Sequence, residues 1–145
     1  MAETFKFENS FGRILGMAHM AMFRRLSTLM KEHNLPITPD QFRVISHLWQ
    51  KDGLQQSELA ICSNRNRANV TRIIDILERE GLVERRDDDA DRRVFRIYLT
   101  DKGKSIKEET AQCAAQAVED SLVGLSKEEI ITCTKVLLKI QANVG

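Results

Sequence analysis

Turn-forming and aromatic residues are scarce in this chain: seven glycines, two prolines and 6% aromatics. That scarcity argues against long β-rich loops and leaves helix as the bulk of the structure. Cysteine is scarce too. Cys62, Cys113 and Cys133 are odd in number and show no C-x-x-C spacing, which suits reduced, buried thiols better than a disulfide framework. No apolar run approaches the roughly 20 residues a membrane span needs, and no basic-then-apolar leader opens the chain. A cytoplasmic protein without a membrane partner is therefore expected. Charge of one sign is missing too, since the formal net charge is +1, so any role in binding nucleic acid must rest on where the charges sit. The histidines His19, His33 and His47 lie in no metal-ligand motif such as H-E-x-x-H, and there is no Gly-rich phosphate loop and no G-x-S-x-G elbow. No catalytic residue, metal or cofactor is expected from these patterns.

What is present is a single domain's worth of core: 145 residues, 42% apolar and 30% charged, without repeats or low-complexity segments. From Asn9 to about His33, Phe11, Ile14, Leu15, Ala18, Met22, Leu26 and Leu29 recur three or four apart and predict a long amphipathic helix. Asn34 to Ile37 breaks it. Thr38-Pro39-Asp40-Gln41 then supplies a cap, a proline at the first helical position and a glutamine three residues past the cap. The helix it starts carries Phe42, Ile45, Leu48 and Trp49, and Gly53 is its stop signal. Gln56 to Cys62 reads as a short helix with Leu59 and Ala60 inward, and Ser63 to Asn66 as a tight turn. Asn66 caps a further helix whose inner face is Val70, Ile73, Ile74 and Leu77, with Gly81 at its end.

Beyond Gly81 the period changes. Leu82 to Arg86 and Val94 to Leu99 are β-prone runs around the charged stretch Asp87 to Arg93, a hairpin. Thr100 caps a helix running to about Val123, and Ser126-Lys127-Glu128-Glu129 opens a last one with Ile130, Cys133, Leu137 and Ile140 at helical spacing. The fold class expected is mostly α with a small β-hairpin wing.

Two helices about a four-residue turn suggest a helix-turn-helix, whose second helix places its N-terminal side chains on base edges in the major groove. Arg67, Asn69, Thr71 and Arg72 occupy its first turns opposite the apolar face, and no acidic residue lies between Leu59 and Ile74. Arginine can bond guanine bidentately and asparagine adenine, while the helix N-terminus favours phosphate. An ordinary helical hairpin with a solvated basic face would show much of the same pattern. The hairpin that follows tips the reading toward DNA, because Arg92 and Arg93 at its tip suit a neighbouring minor groove. Asp91 beside them is expected to orient an arginine. From residue 55 to 99 nine arginines meet nine acidic residues, so nonspecific affinity should be modest.

Ser57-Glu58-Leu59-Ala60, Asn69-Val70-Thr71-Arg72-Ile73-Ile74-Asp75, Leu77-Glu78, Gly81-Leu82-Val83, Asp91-Arg92-Arg93 and Leu99-Thr100-Asp101-Lys102-Gly103 together resemble the winged helix of the MarR family, and the likeness extends over nearly the whole chain. The resemblance implies one MarR-like domain over 1–145, with a winged helix-turn-helix lobe at 38–100 and dimerisation helices at 1–34 and 101–145. It further implies a homodimer acting on double-stranded DNA as a repressor at a pseudo-palindromic operator, with a small aromatic or anionic effector held between lobe and dimer helices. Ser57, Arg65, Asn66, Arg67, Asn69, Thr71, Arg72, Asp91, Arg92 and Arg93 are the implied DNA-binding residues. Ser63 and Arg65 depart from the apolar residues that many relatives carry beside the turn; Asn64 keeps a residue tolerant of left-handed backbone, and Arg65 becomes a phosphate contact. Phe7, Phe11, Ile130, Leu137 and Ile140 are expected at the subunit contact; the competing arrangement folds the terminal helices back on their own lobe. A winged-helix protein-interaction module and a small enzyme are the rival functions, and acidic residues at 67, 72 and 92 would have favoured the former. The stretch before Met30 has no cysteine, which weighs against oxidant sensing at the first helix; Cys62 is expected to be inert.

Overall fold

The computed structural model describes residues 6–63 and 65–145. The chain opens with α1 (Phe11–Glu32), capped by Ser10, and leaves it through Asn34, whose φ of 53° is one asparagine tolerates. Next comes α2 (Pro39–Gln50), where Thr38 and Gln41 form the reciprocal capping box their spacing suggests. A two-residue strand, β1 (Leu54–Gln55), leads into α3 (Gln56–Cys62) and then α4 (Arg67–Arg79). Gly81, at φ 74°, provides the left-handed residue that ends α4. The wing is β2 (Val83–Asp87) and β3 (Phe95–Leu99), followed by α5 (Asp101–Ser105), α6 (Lys107–Ser121) and α7 (Lys127–Val144).

The sheet is antiparallel in the order β1-β3-β2, with Leu54 opposite Ile97 and Val83 opposite Leu99. One face of this small sheet and the inner faces of three helices make the core: Val44, Ile45 and Leu48 from α2, Leu59 from α3, Val70, Ile73, Ile74 and Leu77 from α4, with Leu82, Val83 and Ile97, all buried. Each such side chain contributes roughly 1.5–3 kcal/mol of transfer free energy. The recognition-type helix α4 is thus fixed by its apolar stripe while its opposite side stays in solvent. Met30 of α1 and Cys113 and Ala117 of α6 extend the core sideways, and α1 is tied to α6 by Arg25 Nε to Asp120 Oδ2 at 2.6 Å and His33 Nδ1 to Glu109 Oε1 at 3.1 Å. The Gln116 amide and then the Arg25 guanidinium hold the Asp120 carboxyl below its ordinary range.

Three expectations need correction. The hairpin gains a third strand, β1, because the chain leaving α2 must pass beside β3 to reach α3, and Gly53 N donates to Ile97 O at 3.1 Å there. The helix expected from Thr100 to about Val123 is divided at Ile106, whose ψ of −3° departs from helix. Only Cys113 is a buried thiol; Cys62 and Cys133 are exposed. Helical periodicity places Cys133 on the apolar stripe of α7, yet that helix buries none of its residues within the single chain. Asn64, read as the left-handed residue of the turn, lies outside the described residues.

Candidate nucleic-acid interface

The head of α4 is set by its cap: the Asn66 side chain accepts a hydrogen bond from Asn69 N at 2.9 Å, satisfying one of the donors a helix start leaves open. Arg67 and Arg72 are exposed, while Asn69 and Thr71 are half-buried on the same solvent side. Thr71 is held twice, its hydroxyl donating to Arg67 O at 2.8 Å and accepting from Gln56 Nε2 at 2.6 Å. Gln56 was expected only as the start of α3, not as a site residue. Its signal would have been a polar residue at the start of α3 facing the first turns of α4, which no periodicity reveals.

Two concavities meet at Ser57 and Arg67. One, of about 260 Å³, is lined by Gln56, Ser57, Arg67 and the wing residues Arg93, Val94 and Phe95. The other, of about 560 Å³, is lined by Ser57, Ala60, Ile61, Arg65, Asn66 and Arg67. The fold therefore gathers Ser57, Arg65, Asn66, Arg67 and Arg93, far apart in sequence, about the head of one helix. A concavity lined by Arg67 and Arg93 together with polar Gln56 and Ser57 has the chemistry to take a phosphate-rich strand.

Two acidic residues of the wing, Asp88 and Asp91, hold its tip together. Asp88 accepts the N–H groups of Ala90 and Asp91 at 3.2 and 3.1 Å and the Nε of Arg96 at 2.5 Å. Arg96 in turn donates to Gly53 O at 2.9 Å, so one arginine binds the wing tip to the loop before β1. That hydrogen bond from Arg96 holds the Asp88 carboxyl below its usual range. Asp91 accepts from Arg93 Nε at 3.2 Å and from its Nη2 at 3.3 Å, and its carboxyl is lowered by that same side chain. Arg93 nonetheless remains 90% exposed. Arg85 joins β2 to α4 through Asp75 at 2.5 Å and Glu78 at 2.9 Å, and Arg86 pairs with Glu84 and lies 4.3 Å over the Tyr98 ring.

Arg65 differs from its sequence reading. Its guanidinium does not face outward but pairs with Asp40 of α2, and the side chain is only 18% exposed. Among the described residues, Arg67, Arg72, Arg79 and Arg92 enter none of the ion pairs. The nine arginines between residues 55 and 99 are thus divided between five that enter ion pairs and four that do not. Asp40, Asp88 and Arg96 were missed as contributors: Asp40 meets Arg65 across 25 residues, and Asp88 meets Arg96 across the hairpin, 8 residues on, so neither pair leaves a helical or alternating pattern.

Comparison with known proteins agrees with this geometry. The MarR family profile matches residues 37–95. The chain is 33% identical over 105 residues to the uncharacterized HTH-type transcriptional regulator YsmB of Bacillus subtilis, spanning 72% of each protein. It is 42% identical over 92 residues to the transcriptional repressor MprA of Escherichia coli K12, spanning 61% of this chain and 52% of that protein. Among solved structures, a MarR variant from E. coli complexed with operator DNA superposes with a TM-score of 0.86 at 25% identity, covering 96% of this chain and 99% of that one. The relatives are transcription regulators and not enzymes. With its mostly helical, three-stranded winged helix, its basic helix head and these relatives, the chain belongs to the MarR family of transcription regulators.

Proposed function

We propose that the protein acts in the cytoplasm as a homodimeric, ligand-responsive repressor that reads a pseudo-palindromic operator. The observation that carries this is the division of α4 into a face buried in the core and a face on which Arg67, Asn69, Thr71 and Arg72 project, with Arg93 of the wing alongside. In this reading Arg72 and Asn69 contact base edges, Ser57, Asn66 and Arg67 position the backbone, Arg92 and Arg93 enter the flanking minor groove, and Asp91 aims Arg93. Residues 38–100 form the DNA-binding lobe.

Residues 1–34 and 101–145 supply the dimer contact. Support comes from the apolar side chains that one chain leaves in solvent: Phe11 at 63%, Ile14 at 57%, Met17 at 60%, Ile131 at 49% and Leu138 at 58% exposure, all on α1 and α7. Ile130, Leu137 and Ile140 are half-buried in the single chain and continue that surface. Exposed apolar side chains of this kind on terminal helices are what a two-fold partner covers.

Effector control is supported by a crevice of about 360 Å³ between α1, α2 and α6, lined among others by His19, Met22, Phe23, Phe42, Arg43 and His47. Aromatic and sulfur-bearing walls with one arginine and two imidazoles fit a small aromatic anion. Trp49 is not part of this crevice; its indole N–H donates to Gly103 O at 2.9 Å. Selection of bound duplexes from a random pool tests the reading. An enriched inverted repeat with half-sites about one helical turn apart, roughly 10 base pairs, is expected. A pool without enrichment, or a single unrepeated motif bound by a monomer, overturns it.

A further inference from the structure

The Arg65–Asp40 pair ties the approach to α4 to the first turn of α2. Arg65 is two residues before α4 and lines the concavity it shares with Ser57 and Arg67. An arginine there, extended into solvent, would meet the phosphate backbone whatever the bases. Instead, it is turned back onto the first turn of α2. Its guanidinium is paired with Asp40, its side chain is 18% exposed, and its Nε is buried without a hydrogen-bond partner among the described residues. The helix turn that carries Asp40 is set by the capping box, with Thr38 N donating to Gln41 Oε1 at 3.1 Å and Gln41 N to Thr38 Oγ1 at 3.3 Å, and the Asp40 side chain is 43% exposed.

We propose that Asp40 is a positioning residue that keeps Arg65 off the DNA backbone and so lowers sequence-independent binding relative to operator binding. To reach a phosphate, Arg65 must leave its packed position and exchange one anionic partner for another. That exchange gains little and leaves an unpaired carboxylate facing the duplex. An arginine already paired with a carboxylate also releases no counterion when DNA arrives, and counterion release is what drives nonspecific association. The proposal rests on α4 being the element that meets DNA.

The test is the salt dependence of binding to a random-sequence duplex and to a duplex selected by the wild-type protein. It compares wild type, Asp40→Asn, Arg65→Gln and the double variant, with Asp40→Ser as a second form of the first change. Circular dichroism and melting confirm that each variant is folded. Freed from Asp40, Arg65 adds one phosphate contact: the slope of log K against log salt steepens by about 0.9 in Asp40→Asn. Between about 50 and 200 mM salt, that variant then loses roughly 3.5-fold more affinity than wild type does, and its preference for the selected duplex narrows at low salt. Arg65→Gln alone keeps the wild-type slope, and the double variant returns to it.

A shallower slope for Arg65→Gln overturns the proposal, because Arg65 would then already touch phosphate. An unchanged slope for Asp40→Asn overturns it as well, and so does a double variant that stays steep, which would assign the effect to the charge of Asp40 alone. If wild type binds no duplex in a salt-dependent way, both this proposal and the DNA-reading function fall. Binding with unmoved slopes sinks this proposal only.

Discussion

Gly103→Ala is the substitution whose cost the structure specifies most closely. A Cβ at Gly103 would sit 2.1 Å from Leu82 O, 3.1 Å from Leu82 C and 3.3 Å from Leu99 Cδ2. The first two are backbone atoms and cannot swing aside. The chain would have to part by about 1 Å merely to reach the 3.0 Å below which real Cβ contacts essentially do not occur. Leu82 O is the acceptor for Thr100 N at 3.1 Å, and Gly103 itself accepts the Trp49 indole N–H and donates to Thr100 Oγ1 at 3.1 Å, so the displacement disturbs the junction between wing, α5 and α2 together. Overpacking of this kind costs about 1–3 kcal/mol, and a lost hydrogen bond about 1 more, giving about 2–4 kcal/mol in total. With a urea dependence near 2 kcal/mol/M, the unfolding midpoint falls by about 1–2 M. Trp49 is the only tryptophan, so its emission reports the junction directly while circular dichroism follows the helices, both at one fixed protein concentration. A Gly103→Ala midpoint equal to that of wild type would refute the close-approach argument.

Asn66→Ala removes the cap of α4 and is expected to cost about 1 kcal/mol of stability, while Asn66→Ser restores most of it; equal melting of all three proteins would show that the cap is idle. Thiol labelling of the native protein should modify Cys62, which is exposed. It should spare Cys113, which is buried and whose thiol is pushed up first by desolvation and then by Glu109, until denaturant is added; comparable native rates for the two would contradict the packing of α6. Because its pair with Arg96 lowers the Asp88 carboxyl, that contact stabilises the wing fully above the usual carboxylate range and is lost as pH falls below it. Carboxyl titration by NMR should show Asp88 moving back up toward an ordinary aspartate in Arg96→Ala, and an unmoved titration would remove Arg96 as the cause.

Legibility in the sequence followed the range of the interaction. Local signals located the elements well: Thr38 with Gln41, Asn66 and Ser126 all cap where their spacing suggested, and Val70, Ile73, Ile74 and Leu77 form the inner face of α4. Composition and motif sufficed for the mostly α winged fold and for the family. Features set by distant partners were not legible. β1 exists only because β3 lies beside it, Arg65 meets Asp40 across 25 residues, and Gln56 braces Thr71 across 15. Burial was misread where covering it needs another surface, as with Cys133 on α7, a helix with no fully buried residue within one chain. The charge balance of the lobe was readable as a count. Which arginines remain available was not, because that depends on where Asp75, Asp88 and Glu78 fall in three dimensions.

The central claim, that α4 reads bases rather than merely attracting phosphate, is tested most directly by titrating wild type, Arg72→Ala, Asn69→Ala and Arg93→Ala against the selected operator, an operator with altered A·T-rich flanks and a random duplex, at several salt concentrations. Loss of Arg72 or Asn69 should cost about 1–3 kcal/mol on the selected operator and less on random DNA, relaxing preference at particular positions. Loss of Arg93 should weaken binding most where the flanks are A·T-rich. Equal weakening of all three duplexes by all three substitutions would contradict the claim and reduce this face to a generic basic surface.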